Sequence, residues 1–417
     1  MSVDYDVIVI GGGPGGSCAS TYLAKAGRKT LVLEKEVFPR FHIGESLLPY
    51  NRPMFEDLGL TEKIKPQCFP KKYGAQFYLG NGSRFQKFVF SNGAYTRETE
   101  ALQVERATFD HILLKNAREK GADVREGWTV NRFREDDHGV SIEASDPHGK
   151  NHSFSAKFLV DASGRGNMTG NQEGLRIVHP KLKKLAIFGH FKNVMRDTGK
   201  EGGDTIIVRL ENKWFWLIPI SADKTSVGCV MDQSDFAGAR ESPASIFERI
   251  WRSSPVMIKR MEKAELVLPF QTTSDFSYYN RRYVGKRLLR VGDAAGFMDP
   301  IFSAGVFLAM NSGKMAAQTI DELLRTNGNV ASRLKRYEKK LRESMQFYWE
   351  MVHSFYTTAF LEVFFNPKER FMLASAVNAA LAGELQGGLN LRWRMRLFFL
   401  IVQAQAKFGF LPKISFD

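Results

Sequence analysis

Gly11, Gly13 and Gly16 stand in a G-x-G-x-x-G spacing with Pro14 among them, and an acid, Glu34, follows eighteen residues after the last glycine. Glycines so spaced permit a tight turn, let backbone approach a bulky anion such as a pyrophosphate, and let a helix settle close on a sheet. Amides at the start of that helix would face the phosphates, and Glu34 would accept hydrogen bonds from a ribose. A second group is aromatic: residues 213–219 read KWFWLIP. On a strand Trp214, Trp216 and Ile218 share one face, and Pro219 ends it. Such a stripe suits a sheet core, and beside a flat cofactor it suits a wall equally well. Residues 299–305 (DPIFSAG) form a third group, where backbone amides around Ala304 and Gly305 at a helix start can hold an anion. His42 and Glu45, within 40–46 (RFHIGES), add two titratable groups that could instead orient a loop.

The elements that must position these groups follow from periodicity. Residues 5–10 (YDVIVI) form a β-branched run, 17–26 a helix with small residues on one side, and 29–34 a second strand ending in the acid. Strand, glycine turn, helix and strand make a βαβ unit that opens a parallel sheet. Residues 58–65 predict a short helix, 72–77 a strand, and 109–120 an amphipathic helix with Phe109, Ile112, Leu113 and Ala117 on one face. From 185 to 282 the texture changes to short alternating strands (205–210, 214–218, 226–231), interrupted by a helix at 243–252. That region reads as an antiparallel sheet. Residues 287–291 return to a buried strand, and a long helical tail begins near Gly305. The expected fold is α/β. A discontinuous Rossmann-type domain (1–66, 101–165, 286–330) carries an inserted antiparallel substrate sheet (67–100, 166–285) and a C-terminal helical region (331–417).

The chain has 417 residues, 43% apolar and 25% charged, as in an ordinary folded protein, with a formal charge of +14. The charge favours anions or acidic partners, but no zinc-finger spacing, RNP-like motif or basic tail supports nucleic-acid binding. Three cysteines in scattered positions make neither a disulfide framework nor a metal site, which fits a reducing compartment. No apolar run approaches the ~20 residues that cross a bilayer, and the first strand leaves no room for a signal peptide. The expectation is a soluble, cytoplasmic protein.

Residues 288–296 (LLRVGDAAG) resemble the second flavin fingerprint of the hydroxylase-type flavoproteins, whose Asp, here Asp293, binds the ribityl chain. Residues 161–164 (DASG) resemble their intermediate element, and Val104-Glu105-Arg106 with Phe109-Asp110 resembles their flavin-contacting arginine segment. In this order they imply FAD, held by Gly11, Gly13, Pro14, Gly16, Glu34, Arg106, Asp293 and Gly305. Within that group W-x-W-x-I-P is similar to the signature of the flavin-dependent halogenases. Residues 71–77 (KKYGAQF) resemble the halogenases' K-x-G/A-x-x-F segment, whose essential lysine maps to Lys72, with Lys71 as the surface neighbour. Residues 299–305 resemble their halide loop, with Ser303, Ala304 and Gly305 at the halide, and 40–46 match their flavin-covering loop. The resemblance covers about residues 5–320. It departs at Phe302, where the tryptophan-type halogenases carry Glu, and so points to the phenol and pyrrole halogenases.

The resemblance implies an FADH2-dependent halogenase. Reduced FAD would come from a separate flavin reductase, since no second G-x-G-x-x-G unit marks a nicotinamide domain. With O2 and chloride or bromide it would yield hypohalous acid, which travels inside the protein to Lys72. Lys72 would hold it, hydrogen-bonded or as a haloamine, beside an electron-rich aromatic ring. Trp214, Trp216, Ile218 and Pro219 would part that ring from the flavin, and burial would lower the Lys72 pKa. The substrate would be free or borne on an acidic carrier protein. The basic stretch Arg333, Lys335, Arg336, Lys339, Lys340 and Arg342 reads as a solvated face or, alternatively, as a carrier-docking surface. The rivals are an aromatic hydroxylase, a prenyl-lipid reductase on the same fold, and a flavin-binding regulator without turnover.

Overall fold

In a computed structural model, which describes residues 3–180, 182–326, 328–367, 370–384 and 388–416, the strand Tyr5–Ile10 lies between two parallel neighbours, Thr30–Glu34 and Asn151–Asp161. Val7, Ile8 and Val9 are fully buried, as strands covered on both faces must be. Asp123–Glu126 extends the sheet on one side. On the other, Asn151–Asp161 pairs antiparallel with Val140–Ser145 and, near its end, parallel with Leu288–Arg290. The helix Pro14–Lys25 begins on its proline, whose fixed φ suits a first helical position. It packs against Gly305–Thr326 at backbone distance: a Cβ on Gly313 would overlap the Gly15 carbonyl oxygen. That closeness explains the small residues on one side of the first helix.

A second sheet runs Glu265–Phe276, Lys184–Lys192, Thr225–Asp232, Trp214–Pro219, Thr205–Arg209, Gly74–Leu79, Phe85–Val89. It is antiparallel except where Thr205–Arg209 meets Gly74–Leu79 in parallel. The antiparallel pairing expected of this sheet holds among the strands of 185–282; the exception is this junction with Gly74–Leu79, where the two strands come from distant segments and no hairpin dictates their direction. One face of this sheet, with Phe215 and Leu217, packs under helices Pro243–Arg252 and Pro255–Met261. The opposite face turns toward the first sheet. The helix expected at 58–65 is shorter, Thr61–Ile64, because Gly59 adopts a left-handed conformation (φ +71°) that ends a separate preceding helix, Arg52–Leu58. Beyond Gly305–Thr326 the chain is helical, led by Val330–Phe355 and closed by Gly388–Phe408. Among the described residues no helix is long and apolar enough to cross a membrane, and no cluster of acids, histidines and cysteines could hold a metal ion.

Candidate active site

Glycines of the first turn serve two different ends. Gly11 has a φ of +95°, and a Cβ there would overlap the Ala162 carbonyl oxygen; one on Gly16 would overlap the carbonyl of Gly11. The fold itself requires both. Gly13 has an ordinary φ of −66°, and its Cβ would meet nothing nearer than Arg40 Nη2 at 3.8 Å. Gly305 likewise has no atom within 4 Å of such a Cβ. Both line one cavity of about 430 Å³, together with Pro14, Glu34, Arg106, Asp293 and Ser303. Glycine at 13 and 305 therefore leaves room for a ligand, not for the protein. Glu34 is fixed at the cavity edge: its carboxylate accepts from the Gly12 amide at 2.6 Å and from the Glu36 amide at 2.9 Å. Burial pushes the Asp293 carboxyl up to about 6, against the pull of Arg165 and Arg106. Backbone clearance, helix amides, a buried carboxyl and a ribose acceptor together fit FAD.

Arg106 opens the helix Arg106–Glu119 and grips Asp110 through two 2.8 Å hydrogen bonds. Its remaining nitrogen donates to the carbonyls of Ile43 (2.8 Å) and Gly44 (3.1 Å), tying down the loop over the cavity. Glu45 fastens the same loop to the second sheet through His190 Nε2 at 2.6 Å. Burial, reinforced by Arg106, lowers the His42 pKa to about 3, so its ring is neutral at physiological pH.

Trp214, Trp216 and Ile218 all face this cavity; Pro219 ends the strand outside it. Trp216 donates to Ser226 Oγ at 3.1 Å, and its ring fills the space over Gly228, where a Cβ would collide with the indole. Trp214 donates to the Tyr356 hydroxyl at 2.8 Å.

Lys72 is 2% exposed and stands one side chain back from the cavity. Its Nζ donates to Ser46 Oγ at 2.9 Å and to the Leu47 carbonyl at 3.3 Å, and sits 5.7 Å from the Phe90 ring centre. Ser46 Oγ is 2.9 Å from Thr205 Oγ1, and both residues line the cavity. Burial lowers the amine's pKa to about 8, with Asp204 opposing. Lys71 points outward and pairs with Glu100.

In the 299–305 loop Asp299 Oδ1 accepts from the Ile301 amide, capping the turn Pro300–Phe302. Ser303 takes a left-handed φ of +56° and the helix starts at Gly305. Ser303 and Gly305 reach the main cavity, whereas Ala304 borders a separate one of about 40 Å³ with Phe302 and Asp293. Sequence reasoning assigned no role to Ser46, Thr205, Ser226, Gly228 or Tyr356. Ser46 ends the 40–46 loop, and Thr205, Ser226 and Gly228 lie in expected strands; Tyr356 left no signal.

An FAD binding domain family model matches residues 4–353. A 1H-pyrrole-2-carbonyl-(peptidyl-carrier protein) chlorinase of Pseudomonas fluorescens is 32% identical over 410 residues, covering 93% of this chain and 91% of that one. The corresponding brominase of Pseudoalteromonas luteoviolacea is 34% identical, covering 78% and 79%. Among solved structures, a flavin-dependent brominase superposes with a TM-score of 0.87 at 27% identity, covering 97% of this chain and 99% of that one. A flavoprotein/dehydrogenase from Cytophaga hutchinsonii gives the same TM-score and identity over 96% and 99%, so the backbone alone does not select the chemistry. Sequence identity along nearly the whole chain does: this protein belongs to the FAD-binding-domain flavoproteins and, within them, to the flavin-dependent halogenases.

Proposed function

We propose that this halogenase modifies a pyrrole ring presented on an acidic carrier protein, with Lys72 delivering the halogen. The observation that carries the reading is the Lys72 amine, buried yet one hydrogen bond from a cavity-lining hydroxyl. FAD, reduced by a separate flavin reductase in the cytoplasm, supplies the means to oxidise halide with O2. Backbone amides of Ala304 and Gly305 hold the halide at the start of a 22-residue helix, beside Ser303, whose own amide is given to the Pro300 carbonyl. Trp214, Trp216 and Ile218 keep the organic ring away from the cofactor. Hypohalous acid leaving the cavity meets the hydroxyls of Ser46 and Thr205, then Lys72. With a pKa of about 8 the amine holds both protonation states near neutral pH. As ammonium it donates to the oxygen of the acid and leaves the halogen electrophilic; as free amine it forms a haloamine and releases water. A ring carbon then takes the halogen and loses its proton, which joins the departing hydroxide as water in the first case and returns to the amine nitrogen in the second.

Phe302, in place of an acid, and the carrier-bound pyrroles named for the two relatives support an electron-rich ring. The test is mass spectrometry of pyrrolyl-2-carboxyl carrier protein, free pyrrole-2-carboxylate and free phenols, each with FAD, a flavin reductase, NADH and bromide. Bromine should appear on the carrier-bound pyrrole. Bromination of free phenols alone overturns the substrate assignment.

A further inference from the structure

The hydroxyl of Tyr356, just past the helix Val330–Phe355, touches two parts of the site that are far apart in sequence. It accepts from Trp214 Nε1 at 2.8 Å and donates to Asp299 Oδ2 at 2.7 Å. Asp299 is buried, and its other oxygen caps the turn that leads through left-handed Ser303 to Gly305. We infer that Tyr356 is a positioning residue for halide capture, joining the tryptophan wall to the anion loop through one hydroxyl.

A hydroxyl can accept and donate at once, which this bridge needs and a phenyl ring cannot supply. Two cations flank the phenol, Lys184 Nζ 4.3 Å from the Tyr356 ring centre and the Arg209 guanidinium 5.6 Å from it. Burial raises the Asp299 pKa to about 6, and both cations pull its carboxyl back toward the ionised form. The preceding residue, Phe355, packs edge-on against Phe302 at 5.8 Å. Two consecutive residues of the C-terminal region thus close on the 299–305 loop, one by hydrogen bond and one by packing. Without the hydroxyl, Asp299 Oδ2 loses its donor and the turn it caps is free to shift. The backbone at 303–305 then loses its fixed place at the cavity edge, while the cofactor turn at 11–16, elsewhere in the cavity, is untouched.

The inference rests on the assignment of 303–305 to halide, and the experiment separates the two. Bromide is titrated into the oxidised FAD-loaded protein and followed by flavin absorbance. No response in the wild type overturns the halide loop, and this inference with it. Given a response, Tyr356→Phe should weaken bromide binding roughly tenfold, the scale of one hydrogen bond to a charged group, with FAD content unchanged. In turnover the bromide KM should rise, with kcat at saturating bromide kept within about twofold. Unchanged bromide affinity overturns the inference, as does equal loss of FAD and bromide, which would mark a merely structural role. If Tyr356→Phe does not fold, Phe355→Leu carries the test. It keeps the hydroxyl but loosens the seat on Phe302, and bromide affinity should fall about threefold; no change again overturns it.

Discussion

Around the cofactor turn the working surface is backbone: Gly13 and Gly305 present amides and empty space, and Gly11 and Gly16 exist so that the turn can close. Around Lys72 it is mostly side chain. Ser46, Phe90 and Asp204 come from three separate segments, and only Leu47 offers a carbonyl. A backbone surface fixes residue type at set spacing and tolerates little change at those points. A side-chain chamber can be assembled from many sequences, provided the amine ends up dry and partnered. The first site should therefore fail by losing its ligand, the second by losing its chemistry.

The largest separation of the two comes from Lys72→Ala. Halogenation should fall roughly 10²–10⁴-fold, the range of a lost proton-handling group, while FAD content stays at the wild-type level. Near wild-type bromination would remove the chamber from the mechanism. Next in size is Gly13→Ala, where a Cβ enters ligand space. FAD affinity should drop about 10–100-fold, yet the FAD-free protein should melt at the wild-type temperature. A lowered melting temperature would mean that Gly13 serves the fold, as Gly16 does, and the division drawn among the glycines would collapse.

Stability should move the other way at the chamber. The Lys72 pKa is about 8 against an ordinary 10.5. Between those values the unfolded chain binds the proton and the folded one does not, so stability rises with pH across that window. Below pH 8 the charged amine costs ~3 kcal/mol. Lys72→Met should therefore melt a few degrees higher at pH 7, and the gap should close by about pH 11. A lower melting temperature at pH 7 would show that the bonds to Ser46 and Leu47 outweigh the desolvation. The smallest effect belongs to Lys71→Ala. It removes an exposed partner of Glu100 and should leave bromination within about twofold of wild type.

Legibility in the sequence follows the same division. Strand, turn, helix and acid at 5–34 could be read because the elements that carry the pattern are consecutive in sequence, although Gly11 and Gly15 also answer to the remote Ala162 and Gly313. The facing of Trp214, Trp216 and Ile218 could be read because alternation is intrinsic to a strand. Lys72 was visible only through a family motif, since its burial depends on Ser46, Phe90 and Asp204, which no periodicity links to it. The bonds of Tyr356 to Trp214 and Asp299 span 142 and 57 residues and left no trace. The start of the helix expected at 58–65 was placed too early because the apolar pattern runs on through Gly59, which in the structure ends Arg52–Leu58. The parallel junction between Gly74–Leu79 and Thr205–Arg209 depends on how two remote segments meet, which strand composition does not encode.

The seat of Trp216 over Gly228 also constrains the routes by which this lineage can change. The two residues pair across adjacent strands, and any side chain at 228 meets the indole. A variant that begins at 228 must first displace the indole, because a Cβ there would overlap its ring. One that begins by shrinking Trp216 opens a hollow that a later alanine or valine at 228 can fill. Mutational paths through this pair therefore run in one direction: position 216 has to shrink before position 228 can grow.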